Sequence, residues 1–117
     1  EEMNRDLRTA IDEAFLYARQ ALGVKSLQQA YPWLERVHIL SQQRPVFHAY
    51  CHWLMFQAGW VERDYREMLG QVPRILAALL FSKVWVPEGN TGRARVSAFR
   101  PMPISAELKQ LLQGNRR

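Results

Sequence analysis

All three histidines of this 117-residue chain fall in the run Glu35 to His52, ERVHILSQQRPVFHAYCH, beside the only cysteine, Cys51. Imidazole serves both as a neutral metal ligand and as a proton carrier near neutral pH. Glu35 precedes His38 by three residues and His48 precedes His52 by four, so each pair shares one face if the segments are helical. Counted outward from Gln43 and Arg44, His38 and His48 lie about five residues away on opposite sides, and Glu35 and His52 about eight or nine, two matched levels a helical turn apart. Glu35, His38, His48 and His52 therefore make a candidate mononuclear site, suited to Zn2+, or to Fe2+ or Mn2+ with water completing the shell.

The Glu-x-x-His spacing is also that of di-iron carboxylate bundles, which draw further glutamates from other helices. Glu13 and Glu67 fall opposite the apolar stripes of their segments, which argues against a second metal. The competing reading, preferred on residue types alone, is a core network. In it neutral histidines are satisfied by carbonyls, by Tyr17, Tyr31 or Tyr50, or by Glu35. Cys51 reads as a small core residue. No Ser-His-Asp grouping is present, and the Gly89 to Gly92 turn is too short for a phosphate loop.

Helices must position these groups. Leu7, Ile11, Ala14, Phe15, Ala18 and Leu22 keep the rhythm of an amphipathic helix over 4–22, capped by Asn4 and ended by Gly23. A second helix is expected from Ser26 to about Gln42, burying Leu27, Ala30, Leu34 and Val37, with Pro32 near its start. A third, Pro45 to Ala58, is apolar on nearly every side and so reads as buried, closed by Gly59. A fourth, Val61 to Lys83, places Val61, Tyr65, Met68, Val72, Ile75 and Leu79 on one apolar side, with Pro73 kinking or dividing it. Residues 86–104 carry turn signals and prolines and read as an irregular arm, with a short extended piece near Val96, that wraps the helices through Val96, Phe99 and Met102. Ser105 caps a short last helix, Ala106 to Gln113. The expectation is a single all-α domain over 1–117: four main helices as two antiparallel hairpins, either a bundle or a tetratricopeptide-like pair. Residues 1–3 read as a tag remnant or flexible end and 114–117 as a tail.

Several stretches together, Leu34 to His38, His48 to Met55, Glu67 to Gln71 and Val86 to Pro103, resemble an uncharacterised bacterial family, domain of unknown function family 3703. The similarity runs from Met3 to about Leu112, and Ser41 departs from it where a glycine is expected. It implies a small bacterial protein and supplies no catalytic residues.

Composition narrows the functional classes. The chain is 48% apolar, carries a net charge of +5, and has arginines spread among acids rather than massed. Arg93, Arg95 and Arg100 form the densest basic stretch; solvation or internal pairing is expected there ahead of phosphate or partner contact. No run is long and apolar enough to span a bilayer. The single cysteine and the charged N-terminal run make a cytoplasmic protein the expectation. Two functions stand: an interaction or accessory protein with a protein partner or as a homodimer, and a metal-binding protein whose enzymatic status is undecided. Nucleic-acid binding ranks third.

Overall fold

The computed structural model describes residues 3–115. The segments 1–2 and 116–117 of the expected flexible ends lie outside them. Five helices and no strand occur among the described residues: α1 (Arg5–Gly23), α2 (Leu27–Ser41), α3 (Pro45–Glu62), α4 (Tyr65–Phe81) and α5 (Ala106–Asn115). The connections 24–26, 42–44 and 63–64 are too short for anything but antiparallel neighbours, so α1 packs on α2 and α3 on α4. The two hairpins join through α2 and α3, and α1 and α4 do not meet. The fold is all-α and built of two helical hairpins, as the apolar spacing requires.

Asn4 caps α1 by accepting from the Leu7 amide at 2.9 Å. Leu7, Ile11, Ala14, Phe15 and Ala18 bury one face against Leu34, Val37, Leu40, Leu54 and Met55. Cys51 is in that core, where its thiol donates to the Leu34 carbonyl and burial pushes its pKa up. The helix ends differ from expectation. Gly23 remains helical and Lys25 takes the left-handed conformation, because the Ser26 amide reaches the Ala21 carbonyl at 2.8 Å. Gly59 does not close α3, which runs on to Glu62 before Arg63 turns left-handed. Gly59 instead lets α4 approach: a Cβ there would lie 2.9 Å from Met68 Cγ. Nor is α3 buried all round, since Val46, Trp53 and Trp60 face outward.

The largest departure is α4. Asp64 caps it through the Glu67 amide, and it passes Pro73 without dividing. Of the apolar positions expected inward, only Met68 is buried. Glu67, Gln71 and, just past the helix, Ser82 face the interior, while Leu69 is 71% exposed, Leu76 58% and Leu80 69%. The helix is turned polar side in.

The arm explains this inversion. Residues 86–104 are irregular as expected, and the irregular stretch begins at Ser82 because α4 ends at Phe81 rather than Lys83; Val96 lies in a turn rather than an extended piece, and Phe99 is 76% exposed instead of packed. Polar bonds hold the arm. Gln42 donates to the Pro87 carbonyl and accepts from the Gly89 amide. The Asn90 amide group donates to the Ser97 and Arg100 carbonyls, both at 2.8 Å, while its oxygen accepts from the Gly92 amide. From α4, Glu67 accepts from Arg93 Nε at 2.6 Å and from the Ala94 amide at 2.8 Å, and Arg74 donates to the Val96 carbonyl.

Candidate metal centre

Four elements meet around one point. α2 supplies His38, α3 supplies His48 and His52 one turn apart, and the arm and α4 close the back. The Nε2 atoms form a near-equilateral triangle: 3.0 Å from His38 to His48, 3.1 Å from His48 to His52 and 3.2 Å from His52 to His38. All three rings are buried.

The tautomers follow from what each Nδ1 meets. His38 Nδ1 lies 2.6 Å from the Asn90 carbonyl oxygen, which can only accept, so Nδ1 carries the proton. His52 Nδ1 lies 2.5 Å from Gln71 Oε1, and the Gln71 orientation is set by its amide group donating to the Gly92 carbonyl at 3.0 Å. His48 Nδ1 lies 2.8 Å from Ser82 Oγ, whose one proton goes to the Ala78 carbonyl, so the hydroxyl accepts from His48. Each neutral ring has therefore placed its proton at Nδ1, and each Nε2 presents a bare lone pair to the other two.

An added proton is no remedy. Burial lowers the basicity of all three rings, to about 4 for His48 and about 3 for His52 and well below the ordinary 6.5 for His38, with the neighbouring imidazoles lowering His38 and His52 further. Three acceptors facing one another at hydrogen-bond distance without a donor are mutually repulsive, and a satisfied core network would not leave them so. The arrangement fits a cation. With metal–nitrogen bonds of about 2.1 Å, a tetrahedral site spaces its nitrogens about 3.4 Å apart and an octahedral face about 3.0 Å. The observed triangle lies between these values. The trio could hold a metal ion.

Each Nδ1–H bond is the outer-layer partner that metal-bound histidines usually have. Gly92 presses on the site: with φ +84°, a Cβ there would lie 2.5 Å from His38 Cδ2. The histidines form one wall of a cavity of about 510 Å³ whose other walls are mainly apolar, among them Pro73, Ala77, Phe81, Trp85 and Phe99.

Of the candidate residues, His38, His48 and His52 are brought together and Glu35 is not. Its carboxylate turns to Arg93, 3.3 Å from Nη1. Arg93 is held between Glu35 and the buried Glu67, with its guanidinium 3.5 Å above the Tyr31 ring. Arg95 pairs with Asp64, and Arg100 is exposed. Glu67 is thus neither a ligand nor solvated: it anchors the arm. None of Tyr17, Tyr31 and Tyr50 bonds a histidine, and the buried Tyr31 hydroxyl has no hydrogen-bond partner among the described residues. Gln71, Ser82, Asn90 and Gly92 escaped the sequence reading. For Gln71 and Ser82 the signal is a stripe of polar and small residues along α4 and just past it, Glu67, Gln71, Ala78 and Ser82, on the side opposite the leucines.

A family described as protein of unknown function (DUF3703) matches residues 5–112, and the chain belongs to it. No curated protein and no solved structure matches the chain.

Proposed function

We propose that this member of the DUF3703 family binds one transition-metal ion through Nε2 of His38, His48 and His52, with the ion's open side facing the apolar cavity. One observation carries the reading: three buried imidazoles, each with its proton held at Nδ1 by a separate acceptor on α4 or the arm, aim three lone pairs at one point. Three neutral nitrogens and an open position are the donor set of a catalytic rather than a structural zinc site. Zinc is favoured over manganese because Glu35, the oxygen donor that would suit the harder ion, is engaged by Arg93. A zinc ion so held supplies Lewis acidity to whatever occupies its remaining position. The test is elemental analysis of protein purified without an affinity tag and equilibrated with zinc. One equivalent per chain is expected, lost in His48→Ala and in His52→Ala; metal content that those variants leave unchanged refutes the reading.

The outward face of α4 supports a second, compatible function, self-association. Tyr65, Leu69, Val72, Leu76 and Leu79 repeat at intervals of four and three, the seven-residue seam by which one helix packs along another. All five are exposed. With Leu80 they offer on the order of 700 Å² of mostly apolar surface, close to the roughly 800 Å² per partner of a standard specific interface. A second copy of α4 related by a two-fold axis presents a matching seam. Light scattering after size exclusion is expected to report a dimer that Leu76→Arg converts to monomer. A wild-type chain that stays monomeric at its highest soluble concentration overturns this assignment.

A further inference from the structure

The cavity carries an unbalanced charge. No aspartate or glutamate among the described residues lines it. A divalent ion held by three neutral imidazoles keeps its full charge, and the cavity adds a second cation, Arg74. The Arg74 guanidinium donates to two backbone carbonyls, Gly70 at 2.8 Å and Val96 at 2.9 Å, and forms no ion pair among the described residues. Two of its five N–H groups are used in this way. It lines the same cavity as His38, His48 and His52. Glu67, the buried carboxylate whose charge acts on Arg74, is already engaged at both oxygens by Arg93 and the Ala94 amide. With a metal ion held beside Arg74, the cavity carries an excess of positive charge that favours an anion from outside.

The walls restrict which anion. Pro73, Ala77, Phe81, Trp85 and Phe99 offer carbon, and the volume of about 510 Å³ is that of a small-molecule pocket. A phosphate dianion would need several donors to replace its hydration, whereas the cavity has one guanidinium. We infer that the ligand is an organic monocarboxylate with an apolar body, its head between the metal's open side and Arg74 and its body against Phe81, Trp85 and Phe99. The inference rests on the metal-binding reading above.

Titration calorimetry of the zinc-loaded chain tests it with three probes: phenylacetate, its uncharged analogue phenylacetamide, and acetate, which lacks the body. Phenylacetate is expected to bind at least about tenfold more tightly than either. At equal zinc content Arg74→Gln should weaken phenylacetate about tenfold and phenylacetamide far less; a merely structural role for Arg74 would weaken both alike and overturn its assignment. Equal affinity for phenylacetate and phenylacetamide overturns the anion, and equal affinity for phenylacetate and acetate overturns the apolar body. In those cases one zinc per chain leaves the metal reading standing. A chain that takes up no zinc overturns both.

Discussion

Gly92 offers the sharpest perturbation of the site, because it touches a proposed ligand without being one. In Gly92→Ala the new methyl carbon would stand 2.5 Å from His38 Cδ2 and 2.8 Å from its Nε2. Carbon atoms in contact settle about 3.5–4.0 Å apart, so the ring must retreat by about 1 Å. Metal–nitrogen distances tolerate about 0.2 Å, and the displaced Nε2 would leave the coordination sphere. Loss of one of three ligands should weaken zinc by at least about a hundredfold, or about 2.7 kcal/mol. Separately, a side chain at φ +84° costs about 1–2 kcal/mol whether or not metal is present. Denaturation in chelator should therefore show the smaller loss alone, and denaturation with excess zinc the sum of the two. Adding His38→Ala supplies the control. With the ring gone the methyl has room, and Gly92→Ala should then cost only its backbone strain and no further zinc affinity. Zinc affinity in Gly92→Ala within about threefold of wild type would show that His38 is not a ligand.

Removing an outer-layer partner should act more gently: Gln71→Leu frees the His52 proton from Nδ1 and should weaken zinc by about 10–100-fold, read by competition with a chromogenic chelator. Glu35→Ala should leave zinc stoichiometry unchanged and cost at most about 1 kcal/mol, its pair with Arg93 being partly exposed and solvent-screened; loss of metal would restore Glu35 as a ligand. Glu67→Ala should cost about 3–5 kcal/mol in urea denaturation, because it strips Arg93 and the Ala94 amide of a fully buried acceptor. The metal-free chain should lose stability on acidification. Unfolded histidines take up protons below 6.5 while His48 and His52 in the folded chain resist down to about 4 and about 3, so stability is full above 6.5 and falls through that window. The slope is up to about 1.4 kcal/mol per pH unit for each histidine, and equal stability in chelator at about pH 7 and about pH 5 would contradict the burial of the rings.

The parts legible in the sequence were those governed by local spacing. The stripe from Leu7 to Ala18 marks α1, Pro45 and the short connections mark the hairpins, and counting residues from the turn at Gln43 and Arg44 sets His38 level with His48, with His52 one turn further along the same face of α3. Glu35 shows the limit of that counting. Three residues before His38, it shares the general face, but its carboxylate is decided by Arg93, 58 positions later in the chain. The arm was misread for a similar reason. Hydrophobicity points to Val96, Phe99 and Met102 as its anchors, whereas Asn90, Gln42, Glu67 and Arg74 hold it through backbone carbonyls and amides, and hydrogen bonds of that kind leave no periodic trace.

α4 shows why the fold and the site cannot be separated. Apolar periodicity says which residues of a helix share a face, not whether that face meets the chain's own core or another molecule. On α4 the interior face must provide an acceptor for His52, which is Gln71, and an anchor for the arm residues that cover His38, which is Glu67; Ser82, just beyond, serves His48. These polar side chains are stable inside because each makes two or more hydrogen bonds there. Once they occupy the inner side, the 3.6-residue geometry leaves Leu69, Leu76 and Leu80 no position but the outer one. The seam offered for self-association is thus the geometric complement of the site: a substitution that turned α4 leucine side in would unmake the three-histidine triangle and the dimer surface together.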